Sequence, residues 1–115
     1  MSDCIFCRIA AGEIPVEVVY EDEHVLAFDD VTPQAPVHTL IIPRRHFTSL
    51  QNDVPPEVLA AVFGAVRVVA DIKGVGSSGH RVIVNSGPDA NQSVAHLHVH
   101  LLGGRAMSHG MVNFA

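Results

Sequence analysis

Three histidines at alternate positions, His96, His98 and His100, are the residues of this chain best suited to chemistry. Imidazole has an unperturbed pKa near neutrality, so it can act as a nucleophile, carry a proton or bind a metal. Side chains two residues apart on a β-strand point to the same face. The spacing therefore predicts a row of three imidazoles on one face of a strand spanning residues 95–102.

The residues alone leave three uses of this row open. A solvated polar face is the ordinary reading of a single strand histidine, but strict alternation beside a polar loop favours function. Two histidines at this spacing suit one zinc ion with a third ligand from elsewhere and an open water position. Since same-face Cα atoms are about 6.7 Å apart, one ion does not easily take all three. A central imidazole that attacks phosphorus, with flanking imidazoles that set its tautomer, uses the whole row.

A second pair of reactive side chains, Cys4 and Cys7, opens the chain with a Cys-x-x-Cys motif. Thiols at this spacing can be redox-active, structural or idle, and two cysteines are too few for a disulfide framework. A tetrahedral zinc site needs two more ligands. The motif alone therefore does not decide between these roles.

Length and charge limit the function classes. The 115 residues are expected to form one domain, residues 1–115, with a single core. A net charge of −5 argues against binding of a nucleic-acid backbone, although a single nucleotide remains compatible. No apolar run reaches membrane-spanning length and the N-terminus lacks a signal-peptide pattern, so a cytoplasmic protein without membrane partners is expected.

Hydrophobic periodicity predicts an α+β domain, with a mainly antiparallel five-stranded sheet, one short helix and one long helix. The short helix covers residues 4–11 and ends at Gly12. The strands cover 16–20, 24–28, 37–42, 80–85 and 95–102, with a turn at 21–23. The long helix covers 55–72, is capped by Asp53, and has an apolar stripe of Val58, Leu59, Val62, Phe63, Val66 and Ala70.

Three ordered segments resemble the histidine-triad (HIT) family, and within it the Hint branch of nucleoside phosphoramidases. The strongest is QSVAHLHVHLLGGR at 92–105. FDDVTPQAPVHTLIIP at 28–43 is similar to the nucleotide-pocket segment, and CIFCRI at 4–9, followed by GEIP, matches the usual N-terminal opening. The ending Leu102-Gly103-Gly104-Arg105 favours the Hint branch over the related dinucleoside polyphosphate hydrolases.

The resemblance implies a mechanism without a catalytic cofactor. His98 would be the nucleophile, forming a covalent nucleotidyl-histidine intermediate that water hydrolyses. The supporting catalytic residues would be His96 and His100, which flank it, His38, which joins the same network, and Ser93, which assists departure of the amine. Gln92 would bind the nucleotide by steadying the phosphate, and Ser93, His98 and His100 would contact the nucleotide as well.

The resemblance also implies a nucleotide pocket. Asp30 would bind the ribose hydroxyls through charge-assisted hydrogen bonds, its alternative role being a turn residue before Pro33. Asn85 would contact the sugar–phosphate side. The base would be enclosed by apolar residues whose alternative role is simple core packing, namely Ile5, Phe6, Ile9, Phe28, Val31 and Leu40.

Some bacterial members of the family open with Cys-x-x-Cys and resemble zinc proteins, which implies a structural zinc ion on Cys4, Cys7, His46 and His96. The ion would fasten the N-terminal segment to the sheet and fix the tautomer of His96. The other histidines, His24, His80 and His109, have no such context and are expected at solvated loops or strand ends.

The family fold further implies a homodimer with a continuous ten-stranded sheet, to which small residues of the long helix could contribute: Ala60, Ala61, Gly64 and Ala65. Two departures from the family pattern stand out. Asn91 replaces the usual glycine before Gln92 but can adopt the same left-handed backbone. The tail at 107–115 lacks the tryptophan of animal Hint proteins, which leaves the leaving-group preference open.

The expected function is therefore hydrolysis of purine nucleoside 5′-monophosphoramidates. Three alternatives remain: a nucleotide-binding adaptor with incidental activity, a dinucleoside polyphosphate hydrolase of the same family, and a zinc hydrolase that uses the histidine row itself.

Overall fold

Valine-, leucine- and isoleucine-rich segments pair into one five-stranded antiparallel sheet in the computed structural model, which describes residues 3–108. The sheet order is β1-β2-β3-β5-β4, so that β1 and β4 form its edges. The strands are β1 (Val18–Glu21), β2 (Val25–Asp29), β3 (Val37–Pro43), β4 (His80–Ile83) and β5 (Val99–Gly103). With two helices, this confirms the predicted α+β class. None of the described helices is long and apolar enough to span a bilayer.

The short helix α1 (Ile5–Ala10) begins and ends close to its predicted limits. Cys4 is its N-cap, and its Sγ accepts a hydrogen bond from the backbone N–H of Cys7 at 3.4 Å. Gly12, just beyond the helix, has a φ of +79°, a conformation that glycine adopts without steric cost. The two cysteines are therefore held at the N-terminal end of α1.

The long helix α2 (Pro56–Ile72) matches the predicted element, but two details of the prediction were wrong. Its N-cap is Pro55, with no side-chain cap, so Asp53 does not cap it. The buried seam is narrower than the predicted stripe, since Leu59 and Val66 are only partly buried and Phe63 is 42 % exposed. The seam that packs on the sheet consists of Val58, Val62, Ala65, Val69 and Ala70.

Strand register gives the sheet two different faces. Val25, Ala27 and Ile41 point to one face and belong to the core beneath α2. The opposite face is covered by α1, whose Phe6 and Ile9 pack into a second apolar cluster with Leu26, Phe28, Leu40 and Ile42. Cross-strand partners share a face, and Leu40 pairs with His100, which pairs with Ile83. The histidine side chains therefore emerge on the face opposite α2.

The last strand is shorter than predicted, which changes how the histidine row is held. β5 begins at Val99, so only His100 of the row lies in the ladder. The register would place Leu97 opposite Pro43, which has no N–H to donate, so the ladder ends there. Leu97 instead donates its N–H to the carbonyl of Phe47 at 2.6 Å. Two other strands also differ from their predicted ranges: β1 starts at Val18 and includes Glu21, and β4 ends at Ile83.

Candidate functional site

His98 has one ring nitrogen committed to the backbone. Its Nδ1 lies 2.7 Å from the carbonyl oxygen of His96. A carbonyl can only accept, so Nδ1 carries the proton and Nε2 keeps its lone pair. The side chain is buried, with 2 % of its surface exposed. A buried imidazole with a fixed, unprotonated Nε2 has the tautomer that a nucleophile requires.

Phe6 of α1 divides the histidine row. Its ring meets His98 edge-to-face at a centroid distance of 5.1 Å and His96 at 5.9 Å. His96 is turned to the other side, where its ring lies 5.1 Å from that of His46. His98 contacts His100 instead, at 5.0 Å. The predicted row therefore contributes to two groups of side chains.

A chain of hydrogen bonds also fixes the tautomers of His38 and His100. The backbone N–H of Gln34 donates to His38 Nδ1 at 3.0 Å, so the His38 proton is on Nε2. That nitrogen lies 2.9 Å from His100 Nδ1 and donates to it. The proton of His100 is consequently on its Nε2. Thus His100 presents an N–H donor on a ring whose centroid lies 5.0 Å from that of His98.

His100 is electrically neutral at physiological pH. Burial is the largest cause that lowers its pKa from 6.5 to about 4, and the neighbouring His98 and His38 act in the same direction while Asp30 opposes them. A neutral imidazole donates a hydrogen bond to an anionic oxygen without adding a positive charge. Any positive charge near this site must come from other side chains.

Asp30 lies at the His38 end of this series of hydrogen bonds. Its Oδ1 accepts from the Thr32 N–H at 2.8 Å and from the Thr32 hydroxyl at 3.1 Å, which is the turn role considered from the sequence. Its Oδ2 lies 3.5 Å from His38 Nε2. This second oxygen can still accept further hydrogen bonds, so the turn role and ribose binding are compatible.

Four soft ligand atoms converge on the other side of Phe6. The ligand atoms of Cys4, Cys7, His46 and His96 all lie within 4.8 Å of one another. Sulfur-to-Nδ1 distances are 3.3 Å for Cys4 and His96, 3.5 Å for Cys7 and His96, and 3.2 Å for Cys7 and His46. A tetrahedral zinc ion would separate its sulfur and nitrogen ligands by about 3.5 Å. The Cys₂His₂ set therefore fits zinc.

His96 is prepared to be a ligand in this cluster. Its Nε2 donates to the carbonyl of Pro43 at 2.8 Å, which leaves the lone pair on Nδ1, the atom that faces both sulfurs. Burial lowers the pKa of His96 below its ordinary value, which favours the neutral form that binds metals. In the described part of the chain, the side chains that could hold an ion form two groups, the Cys₂His₂ set and a second one of Asp30, His38 and His100, so the three histidines of the row do not share one ligand group.

Two open cavities flank these groups. The one beside His38 and His100 has a volume of about 470 Å³ and is also lined by Asn85, Arg81 and Arg105. The other, of about 620 Å³, lies beside the Cys–His cluster and is lined by Ile5 and Ser93 among others. The structure thus brings Asn85 to the His100 side, whereas Ser93 lines the cavity on the cluster side.

The expected phosphate contact of Gln92 is corrected by its hydrogen bonds. Its Nε2 donates to the carbonyls of Thr48 and Val94 at 2.6 and 2.9 Å, and its Oε1 accepts from the Gly87 N–H at 2.8 Å. Both amide protons are used, so Gln92 braces the loop and has no donor left for a phosphate. The expectation for Asn91 is confirmed: its φ is 59°, in the left-handed region.

The predicted base-pocket residues fall into two sets. Phe6, Ile9, Phe28 and Leu40 are buried in the second apolar cluster, so core packing is at least part of their role. Ile5 is 49 % exposed and Val31 is 95 % exposed. Of the unassigned histidines, His24 lies in the turn before β2 and His80 begins β4, as expected. His109 and the tail at 109–115 lie outside the described residues.

Sequence reasoning missed several residues of this site. Leu26 and Ile42 share the face of Phe28 and Leu40, and alternation along β2 and β3 was the available signal. Arg81 lies on the same face of β4 as Ile83, the cross-strand partner of His100, so strand pairing could have found it. Nothing in the sequence indicated the backbone groups of Gln34 and Pro43 that set two tautomers.

Comparisons with known proteins all point to one family. The model of the HIT domain family matches residues 11–107. A 14 kDa zinc-binding protein of Zea mays is 49 % identical over 111 residues, covering 93 % of this chain and 86 % of the relative. Adenylylsulfatase HINT1 of Arabidopsis thaliana is 44 % identical, covering 93 % and 75 %. A HIT family hydrolase from Legionella pneumophila superposes with a TM-score of 0.89 at 42 % identity, covering 94 % and 98 %.

Proposed function

The chain belongs to the HIT domain family, and on that premise we propose that it hydrolyses the P–N bond of purine nucleoside 5′-monophosphoramidates. The observation that carries the proposal is the tautomer of His98. Its Nδ1–H is held by the His96 carbonyl, so its lone pair is on Nε2, next to the N–H donor of neutral His100. Phosphoryl-type transfer depends mostly on such positioning and charge stabilisation.

The reaction proceeds through two displacements at phosphorus. In the first, His98 Nε2 forms a bond to phosphorus, the bond to the amine nitrogen breaks, and Ser93 passes a proton to the leaving amine. In the second, water attacks, the bond to His98 breaks, and one water proton returns to Ser93. The water oxygen and its other hydrogen remain on the nucleoside monophosphate. His100 would donate its Nε2–H to a phosphate oxygen in both steps.

The nucleotide is proposed to lie along the face covered by α1. Asp30 Oδ2 would accept the ribose hydroxyls, Asn85 would contact the sugar–phosphate side, and Gln92 would act indirectly by bracing the loop. The purine would lie against apolar side chains around α1, drawn from Ile5, Phe6, Ile9, Phe28, Val31 and Leu40.

A second substrate uses the same nucleophile. The Arabidopsis thaliana relative is named an adenylylsulfatase. Adenylyl sulfate would place a sulfate, rather than an amine, as the leaving group opposite His98, and this group leaves without a proton. Relative rates on adenylyl sulfate and on an adenosine phosphoramidate would therefore rank the two substrates.

Zinc is proposed as a structural ion held by Cys4, Cys7, His46 and His96. The distances between the sulfur and nitrogen atoms of these residues, and the preference of zinc for such ligands, support this, and the Zea mays relative is named a zinc-binding protein. When bound, the ion would fasten the start of α1 to the segment that carries His96. No catalytic step is assigned to it. A reducing cytoplasm, the proposed location, would keep both thiols available as ligands.

We further propose a homodimer joined through the sheet edge at β4. In the described part of the chain, β4 pairs only with β5, which leaves its other side able to pair with a second copy. Val82 on this edge is 36 % exposed, and Phe63 and Ile72 on α2 are 42 % and 54 % exposed. Light scattering on the purified protein would give twice the monomer mass.

Replacing His98 tests the enzymatic proposal directly. His98→Ala should reduce kcat on an adenosine phosphoramidate by roughly 10⁴-fold or more, because no other group can form the intermediate. Binding of adenosine monophosphate, measured by calorimetry, should survive. The matched control is His24→Gln, a histidine outside the site, which should retain wild-type turnover.

Retention of full activity by His98→Ala would overturn the mechanism. Nucleotide binding without turnover in the wild-type protein would instead favour the adaptor alternative. Faster cleavage of a dinucleoside polyphosphate than of any phosphoramidate would favour the other hydrolase branch.

A further inference from the structure

The Cys–His cluster, formed by Cys4, Cys7, His46 and His96, is open to solvent on one side. Cys4 and Cys7 are half-buried and His46 is exposed, and all three line the cavity of about 620 Å³. Cysteines buried in apolar surroundings are inert, whereas cysteines that solvent reaches can take part in redox chemistry. A small oxidant can therefore reach the sulfur atoms of this Cys-x-x-Cys pair.

The two cysteines lie one helical turn apart, which suits a disulfide. The N–H of Arg8 donates to the carbonyl of Cys4 at 3.1 Å, and the N–H of Cys7 donates to Cys4 Sγ at 3.4 Å, so the turn is closed. Residues three apart on a helix have Cα atoms about 5 Å apart, within the range of about 4.4–6.8 Å that a disulfide needs. The two sulfur atoms lie within 4.8 Å of each other. The bond can therefore form without unwinding α1.

A disulfide between these cysteines and a zinc ion on the cluster exclude each other. Zn–S bonds of about 2.3 Å in tetrahedral geometry keep two sulfur ligands about 3.8 Å apart, whereas a disulfide brings them to about 2.05 Å. A disulfide sulfur also lacks the negative charge with which a thiolate binds a metal. Oxidation would leave only His46 and His96 of the ligand set, so the ion would dissociate.

His46 connects the cluster to the backbone of the proposed nucleophile. Its Nδ1 lies 3.2 Å from Cys7 Sγ. The carbonyl of the next residue, Phe47, accepts the N–H of Leu97 at 2.6 Å, and Leu97 directly precedes His98. Since Leu97 lies before the start of β5, this hydrogen bond takes the place of a ladder contact. A change in the position of His46 therefore reaches His98 through one hydrogen bond.

Two further contacts lead from the cluster to the reacting groups. The carbonyl of Thr48 accepts from Gln92 Nε2 at 2.6 Å, and Gln92 directly precedes Ser93. Phe6 of α1 packs edge-to-face on His98 at a centroid distance of 5.1 Å. Release of the ion would loosen both the helix that carries Phe6 and the segment that carries Thr48. The nucleophile and the proton donor of the proposed reaction both depend on these contacts.

We propose that Cys4 and Cys7 are a peroxide-sensitive site: their oxidation to a disulfide releases the zinc ion and slows turnover at His98. The inference rests on the proposed structural zinc ion and the proposed phosphoramidase activity, and it adds to them a site of reversible modification. It also gives the Cys-x-x-Cys motif a redox role in addition to a structural one.

The oxidation is balanced by the reduction of one molecule of hydrogen peroxide. One thiolate attacks a peroxide oxygen, the O–O bond breaks, and a sulfenic acid and a hydroxide ion form. The second thiolate attacks the sulfur of the sulfenic acid, the S–S bond forms, and a second hydroxide ion leaves. Two protons from solvent convert both hydroxide ions into water. The two sulfur atoms lose two electrons in total, and the zinc ion leaves as Zn²⁺.

A small molar excess of hydrogen peroxide, added to the zinc-loaded wild-type protein, tests the site. A colorimetric zinc indicator should detect release of one ion per chain, and mass spectrometry should find a chain two hydrogens lighter, with Cys4 linked to Cys7. The kcat on an adenosine phosphoramidate should fall roughly threefold. Dithiothreitol with added zinc should restore it, because a thiol reduces a disulfide but not a methionine sulfoxide.

The matched control is the double variant Cys4→Ser/Cys7→Ser, which keeps all three methionines of the chain. Measured at a temperature where the variant is folded, its kcat should not respond to the same peroxide treatment. A response of equal size in this variant would assign the effect to oxidation elsewhere in the chain and overturn the proposal.

Amide hydrogen exchange adds a measurement that does not depend on activity. The N–H of Leu97, which the Phe47 carbonyl holds, should exchange faster after oxidation. The N–H of Val62, buried in the middle of α2, reports on opening of the whole domain and should accelerate less. Equal acceleration at both positions would mean that the cluster stabilises the domain as a whole and does not act on the nucleophile's segment.

The outcomes separate this inference from the proposals on which it rests. A treated chain without the Cys4–Cys7 link, a disulfide that retains zinc, or oxidation that changes neither kcat nor the exchange of Leu97 overturns the redox site alone. Absence of zinc from the reduced wild-type protein overturns the structural ion, and absence of hydrolysis overturns the phosphoramidase activity. The mass of the oxidised chain and the exchange of Leu97 then decide the redox site.

Discussion

Two groups of histidines lie on either side of Phe6, and they differ in what their ring nitrogens face. In the Cys–His cluster, formed by Cys4, Cys7, His46 and His96, the Nδ1 atoms point at sulfur and converge on one position. In the imidazole chain, formed by His98, His100 and His38, the rings follow one another toward an open cavity. One group can enclose an ion and the other can meet a substrate.

The backbone accounts for this difference. At His96, Nε2 donates its proton to the carbonyl of Pro43, and the lone pair is on Nδ1. At His98, Nδ1 donates its proton to the carbonyl of His96, and the lone pair is on Nε2. Two identical side chains, two residues apart, thus acquire opposite tautomers and different chemistry. The two groups are also joined, since His96 contributes its ring to one and its carbonyl to the other.

The sharpest test of this division concerns His100. We expect His100→Gln to reduce kcat by about 10²–10³-fold, because the variant loses the imidazole N–H aimed at the transition-state charge. Zinc content, measured by mass spectrometry of the purified protein, should stay at the wild-type value. A loss of zinc in this variant would show that the two groups are not separate.

The reciprocal change is made in the cluster. Cys7 contacts both histidines of the Cys–His cluster, so Cys7→Ser should abolish stoichiometric zinc and lower Tm by roughly 10 °C. Turnover at a temperature where the variant is folded should fall by less than about tenfold, through looser positioning of His98. A chelator should lower the Tm of the wild-type protein but not that of the variant. An unchanged Tm in Cys7→Ser would argue against a structural ion.

Much of the fold could be predicted from the sequence, because alternation, glycine positions and the proline pair report local backbone preferences. The boundaries of α1 and α2 illustrate this. The late start of β5, at Val99 instead of residue 95, could not be predicted. It depends on Pro43 of β3 lying opposite Leu97, a pairing that is visible only in the sheet. The Asp53 cap failed for a related reason, because Pro55 already starts the helix.

The same limit applies to the site. The residue types of both groups could be proposed from spacing and resemblance, but not the tautomers, which depend on the carbonyls of Pro43 and His96 and on the N–H of Gln34. Sequence position alone predicts a phosphate contact for Gln92. Its three backbone hydrogen bonds, to residues far apart in sequence, gave it a different role.

The imidazole chain should also give the protein a specific acid sensitivity. Since the pKa of His100 is lowered from 6.5 to about 4 in the folded state, the unfolded chain binds this proton more tightly. The associated stability is therefore fully present above about pH 6.5 and is lost as pH falls toward about 4. Between about pH 7 and pH 5 we expect a loss of roughly 1–2 kcal/mol from this group, allowing for partial solvent screening.

Urea unfolding of the wild-type protein and of His100→Gln across this pH range measures the effect. Contributions of the Cys–His cluster, including proton competition at the thiols, are common to both proteins and cancel in the difference. The unfolding free energy of the wild-type protein, relative to that of His100→Gln, should therefore decrease as pH falls from about 6.5 to 4 and stay constant above this range. A difference that is constant with pH would mean that His100 is not held neutral by burial.

Phe6 tests the connection between the two groups, with the smallest expected effect. Its ring touches His96 and His98 on either side and Phe28 at 5.8 Å. Phe6→Leu keeps an apolar side chain but loses these edge contacts. We therefore expect the free energy of unfolding to fall by about 1 kcal/mol and kcat to fall roughly threefold. Leu50→Met, at an exposed position outside both groups of histidines, is the control and should change neither. If Phe6→Leu lowers Tm and leaves kcat unchanged, Phe6 only fills the core; a fall in both, with zinc retained, identifies it as the contact through which α1 positions the nucleophile.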